Sequence, residues 1–178
     1  FLLLARPAPG LRDQIDLNEI IRDVIDSLRF VPDWNDCLKL DLRLEDDPLI
    51  VLMNRTECRQ ILWNVTLNAI QAMPKGGTLT VETCSCHKDD KDFVEIRICD
   101  TGMGIEKSKI QKIYEPFFTT RDMGTGLGLA VVNRILEGFH GKIDIQSDPG
   151  KGTACTIWIP CRVPPLLEKR ISSKSNGG

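Results

Sequence analysis

The sequence predicts a two-layer α/β sandwich, with about three helices packed on a mixed, mostly antiparallel sheet of about five strands. Apolar residues recur at helical spacing over 17–29, 55–73 and 127–139. Side chains alternate at strand spacing over 38–44, 78–86, 93–100, 142–147 and 153–160. Paired strands lie next to one another in the chain, which favours helices on one face over a doubly wound parallel sheet.

The first element is the helix at 17–29, with Leu17, Ile20, Ile21, Val24, Ile25 and Leu28 on one face. LKLDLRL at 38–44 is a half-buried strand, and LIVLM at 49–53 is a candidate second. Asn54 reads as a helix N-cap, with Glu57 three residues on completing a capping box. That helix should run to Met73 and stop at Pro74-Lys75-Gly76-Gly77. Strands at 78–86 and 93–100 flank a polar turn and form a hairpin. A short helix is expected from Glu106 to about Ile113, and a longer one from Leu127 to Phe139. The last two strands join through Asp148-Pro149-Gly150. Residues 1–15 read as the end of an upstream helix and a linker, 16–163 as the domain, and 164–178 as a frayed tail.

The chain has 178 residues, the size of one ordinary domain. Its net charge of −2 makes no electrostatic case for nucleic acid or an anionic membrane. No apolar run nears the roughly 20 residues that span a bilayer. The opening FLLLA lacks the flanks of a signal peptide. Because the sequence starts at Phe1 rather than Met, the expectation is a fragment of a longer protein. Of seven cysteines only Cys84 and Cys86 are close, and a metal site would want a second pair or a His pair at ligand spacing, which the sequence lacks. Reduced thiols of a cytoplasmic protein, several packed as small apolar side chains, are the simpler reading.

Three segments carry candidate chemistry. Asn64 and Asn68 are one turn apart on the helix 55–73, so both amides share a face. An amide oxygen is a hard donor suited to Mg²⁺; alone, the pair also fits two locally bonded asparagines. DTGMGI (100–105) follows a strand, placing Asp100 at its end with Gly102 and Gly104 beyond. A carboxylate there can accept from an exocyclic amine, although a plain turn or a metal loop would look the same. GTGLGL (124–129) opens a helix, where glycine-freed N–H groups favour phosphate. It lacks the third glycine of a dinucleotide fingerprint and the Lys-Ser/Thr of a P-loop. Between the loops, YEPFFTTRDM (114–123) reads as a flap with an aromatic hinge, Phe117 and Phe118 being core anchors by type.

In this order, ILWNVTLNAIQAM, DTGMGI, YEPFFTT and GTGLGL resemble the asparagine, first glycine, phenylalanine and second glycine boxes of the GHKL ATPase superfamily. The resemblance is strongest to the catalytic ATP-binding domain of bacterial sensor histidine kinases, and covers residues 17–161. It implies a Bergerat sandwich that binds ATP with Mg²⁺. It further implies that Asn68 coordinates the metal and Asn64 contacts phosphate or a metal-bound water, the two being the catalytic pair. Asp100 would bind the adenine amine, and Gly102, Gly104 and Ile105 would shape its pocket. Gly126 and Gly128, with the N–H groups of Leu127 and Leu129, would hold phosphates. Thr153 would contact adenine, often through water. Residues 115–125 would form the ATP lid, with Phe118, Thr119, Thr120, Arg121, Gly124 and Thr125 as further contacts. Many family members carry Lys or Arg near the end of the asparagine helix, where this chain has Gln71.

Hydrolysing branches of the superfamily place a Glu one turn before the metal-binding Asn. Here that residue is Asn64, and an amide cannot act as general base; Glu57, about three turns from Asn68, is too far to substitute. The resemblance therefore implies transfer of the γ-phosphate to a histidine on an upstream dimerisation and phosphotransfer helix, within a two-component phosphorelay that ends on a response regulator. His87 and His140 read as surface residues and not as acceptors. The fragment would be monomeric and its parent a homodimer, cytoplasmic or membrane-anchored. A GHKL ATPase, or a nucleotide-binding scaffold without catalysis, are the alternatives.

Overall fold

Side-chain alternation decides which face of each strand is covered. In the computed structural model, which describes residues 12–88, 90–118 and 126–161, the chain runs through β1 (Asp13–Asp16), α1 (Leu17–Leu28), β2 (Leu38–Arg43), β3 (Ile50–Met53), α2 (Arg55–Gln71), β4 (Gly77–Lys88) and β5 (Lys91–Asp100). It continues through the four-residue α3 (Lys107–Ile110), a 3₁₀ turn (Lys112–Tyr114), α4 (Gly128–Gly138), β6 (Lys142–Asp148) and β7 (Gly152–Pro160).

Five strands form one sheet in the order β2-β4-β5-β7-β6. Only β2 and β4 pair in parallel; the other neighbours are antiparallel. Cross-strand partners then line up in rows, and one such row is Val81, Ile98, Cys155 and Ile145, all buried. Residues one step along the strands, Arg97, Asp144 and Gln146 among them, are exposed on the opposite face. A period-2 pattern on a one-sided sheet requires this division.

The helices cover the apolar face. Helix α2 packs between α1 and α4, and against β5. Its fully buried residues include Cys58, Ile61 and Ile70. The Asn54 Oδ1 accepts from the Thr56 and Glu57 N–H groups at 2.9 and 3.1 Å, so the expected N-cap forms. No helix among the described residues is long and apolar enough to cross a membrane.

The N-terminal expectation needs correction. Residues 13–15, assigned to a linker, belong to β1, which pairs antiparallel with β3 in a separate two-stranded sheet. Ile15 is buried there, and Asp16 caps α1 while also accepting from the Leu49 N–H at 3.1 Å. A four-residue strand rich in acids carries too little alternation to be read in advance. The segments 1–11 and 162–178, with the expected upstream helix and the tail, lie outside the described residues.

Candidate functional site

A cavity of about 370 Å³ opens between α2, the ends of β5 and β7, and the start of α4. That volume suits a small-molecule ligand. Asn64 and Asn68 both line it, half-buried, from adjacent turns of α2. The helix places them there because Ile61, Leu62, Val65, Ala69 and Ile70 take its buried positions.

Asp100 ends β5 and is buried, with its Oδ1 accepting from the Gly102 N–H at 2.8 Å. The glycine loop beyond it is held on three sides. The Met103 N–H donates to the Ala72 carbonyl at 3.0 Å and the Gly150 N–H to the Met103 carbonyl at 2.7 Å. The Ile105 N–H donates to the Ser147 Oγ at 2.8 Å. Gly102 sits so close to the Ala72 backbone that a Cβ would collide with it. Gly104 has φ +68° and faces the Asp148 carbonyl in the same way, so both glycines are demanded by the loop's path.

Helix α4 starts at the second glycine box. Leu127 occupies its N-cap position and makes no side-chain capping bond. Gly128 and Leu129 line the cavity, where first-turn N–H groups and the helix dipole favour an anion. A Cβ at Gly128 would stand 3.8 Å from the Asn64 carboxamide, so the asparagine helix and this helix end meet at one point.

Phe118 and Gly126 also line the cavity. Phe117 corrects its expectation: it is 73% exposed, not a core anchor. Its φ of +69° and the bond from its N–H to the Gly126 carbonyl at 3.0 Å turn the chain there, which leaves the ring in solvent. Thr119, Thr120, Arg121, Gly124 and Thr125 lie outside the described residues. Gln71 lines the cavity and donates from Nε2 to the Asp33 Oδ2 at 3.2 Å.

The floor is apolar. Ile98, Ile113, Ile145 and Cys155 contribute to it, and burial pushes the Cys155 thiol up from 9.0 to about 12, so it stays protonated and uncharged. All seven cysteines are free thiols, Cys58 and Cys155 being buried. Thr153 stands beside Asp100 as its cross-strand partner and also lines the cavity. Ser147 is the next partner in the same row, 2.9 Å from the Thr153 Oγ1. No motif marks Ser147; only the β6–β7 register reveals it. His87 and His140 are both exposed, the former paired with Asp92 at 2.8 Å.

This fold and this cavity define a nucleotide-binding ATPase-type sandwich, and comparison with known proteins makes the class specific. Residues 53–163 match the family described as histidine kinase-, DNA gyrase B-, and HSP90-like ATPase, and the chain belongs to it. It is 35% identical over 162 residues to sporulation kinase E of Bacillus subtilis (strain 168), covering 91% of this chain and 21% of that protein. It is 37% identical over 161 residues to sensor histidine kinase ZraS of Salmonella typhi, covering 89% of this chain and 33% of that one. The structure of the mycobacterial sensor histidine kinase MprB superposes with a TM-score of 0.73 at 25% identity, covering 86% of this chain and 99% of that one. The chain is thus homologous to sensor histidine kinases and spans about a fifth to a third of these two relatives' length.

Proposed function

We propose that this chain is the catalytic module of a sensor histidine kinase, holding Mg-ATP for transfer of the γ-phosphate to a histidine outside the cavity. One observation carries the choice of transfer over hydrolysis. Among the described lining residues Asp100 is the only acid, and it stands on the sheet, at the end of β5. The residue beside Gly128 is Asn64, whose amide can orient a phosphate or a water but cannot take a proton from one.

The chain's own residues position the nucleotide. Asp100 and Thr153 accept from the base, and the Gly102–Ile105 loop walls it in. The N–H groups of Gly128 and Leu129 hold phosphate oxygens, and Asn64 bridges α2 to them. The donor set fits a hard cation, since the Asn68 carboxamide lines the same cavity. Bound there by Asn68, Mg²⁺ would neutralise charge on the phosphate oxygens. Positioning supplies most of the acceleration in such a transfer.

Neither histidine of the sequence suits the acceptor role. His87 lies about eight ladder positions from Asp100, roughly 26 Å along the strand. His140 follows the far end of α4, roughly 16 Å from the helix start. The acceptor helices of a cytoplasmic or membrane-anchored parent dimer, and then a response regulator, are the partners this reading requires. Calorimetry with ADP and an assay of phosphate release test it together. Tight magnesium-dependent binding with little phosphate release is the expected result. Rapid release would favour an ATPase, and absent nucleotide binding a scaffold.

A further inference from the structure

Ser147 makes three polar contacts through one oxygen. Its Oγ accepts from the Ile105 N–H at 2.8 Å, donates to the Gly152 carbonyl at 2.9 Å, and lies 2.9 Å from the Thr153 Oγ1. A serine hydroxyl has one proton and two lone pairs. A carbonyl only accepts, so the Ser147 proton points to Gly152. The Ile105 N–H takes one lone pair. The last lone pair can only accept, which makes Thr153 the donor. Thr153 has thereby committed its single proton to Ser147 and presents lone pairs alone to the cavity.

The register gives this polarity a direction. Asp100, Thr153 and Ser147 are successive cross-strand partners on β5, β7 and β6, so their side chains stand in one row on one face. Asp100 and Thr153 both line the cavity; Ser147 does not. Two acceptors therefore stand side by side. A 6-aminopurine offers them an N–H at its 6-position, whereas a 6-oxopurine offers a carbonyl that would face lone pairs.

We propose that Ser147 is a specificity-determining positioning residue: it fixes the Thr153 hydroxyl as an acceptor and so biases the cavity toward 6-amino- over 6-oxopurine nucleotides. This rests on the reading above, with the base against Asp100 and Thr153. Ser147 acts through Thr153 and does not touch the base. Because the same Oγ anchors the Ile105 N–H, a purely structural role would weaken all nucleotides equally. A change in their ratio is the signature of the relay.

The test is calorimetric titration of the full chain with ADP and with IDP, whose bases differ at the 6-position and N1. Wild type should prefer ADP. Ser147→Ala frees the Thr153 hydroxyl to rotate and donate, and should narrow the ADP:IDP affinity ratio about tenfold, the worth of one hydrogen bond. Ser147→Thr keeps the hydroxyl and should keep the ratio. In a Thr153→Ala background, Ser147→Ala should leave the ratio unchanged. Ser147→Cys, a near-isosteric change to a weakly bonding thiol, should narrow the ratio in the same direction and stands in if the alanine variant does not fold. Equal weakening of ADP and IDP, or a narrowed ratio that persists without Thr153, overturns the relay while leaving the nucleotide site intact. A wild type that binds neither ADP nor IDP overturns the site itself and the relay with it.

Discussion

At one end of the cavity the polar groups stand on strands; at the other they stand on helices. Asp100, Thr153 and Ser147 form a single cross-strand row whose registers are locked by the sheet. Asn64 and Asn68 ride on α2 opposite the start of α4, and residues 119–125, between Phe118 and Gly126, lie beyond the described part of the chain. The difference separates two tasks. A base is recognised by fixed donors and acceptors, for which a strand ladder is the stiffest mount. A phosphate group that must leave needs a dipole and amides that orient it, without an acid that would activate water.

The sharpest break in this comparison is at the strand end. Asp100→Asn should cost roughly ten- to a hundredfold in ADP affinity, since a hydrogen bond to a charged group is worth about 1.5–3 kcal/mol. A loss under about twofold, read by calorimetry, would remove Asp100 from base recognition. The helix end should respond in chemistry instead. Asn64→Glu places a carboxylate beside Gly128 and should raise phosphate release about tenfold or more, within the range of general-base effects. Release unchanged from wild type would show that the missing base is not what restrains hydrolysis. Asn68→Ala should leave metal-free ADP binding near wild type and reduce the strengthening by Mg²⁺ several-fold. If Mg²⁺ strengthens binding equally in both proteins, Asn68 is not its ligand.

The smallest effect concerns the buried thiols, Cys58 on α2 and Cys155 in the cavity floor. Burial pushes Cys58 and Cys155 from 9.0 to about 12. The folded chain keeps these protons to higher pH than the unfolded chain does. Their contribution to stability is therefore complete below pH 9 and is lost as pH rises toward 12, at up to about 1.4 kcal/mol per pH unit for each thiol. Urea midpoints measured across that window should decline less steeply in the Cys58→Ala/Cys155→Ala variant than in wild type.

Much of this is legible in the sequence alone. The N-cap at Asn54, the one-turn spacing of Asn64 and Asn68, and the glycine loops after a strand and before a helix are local signals, written in adjacent residues. The alternation of β4, β5, β6 and β7 likewise gave the covered face. What could not be read depends on pairing. The parallel contact of β2 with β4 joins segments that a helix separates, and β1 is a strand only because β3 lies beside it. Ser147 sits in a strand that the alternation identified, yet its role exists only through Thr153 opposite. The residue type of Phe117 favours a core, whereas its positive φ and its N–H bond to the Gly126 carbonyl decide its exposure.

The central claim, that this module holds ATP without hydrolysing it, is tested most directly by phosphate release from the purified chain at saturating Mg-ATP, with ADP binding measured on the same sample. The account predicts tight ADP binding and phosphate release barely above the uncatalysed background. Rapid multiple-turnover release by the isolated chain would contradict it.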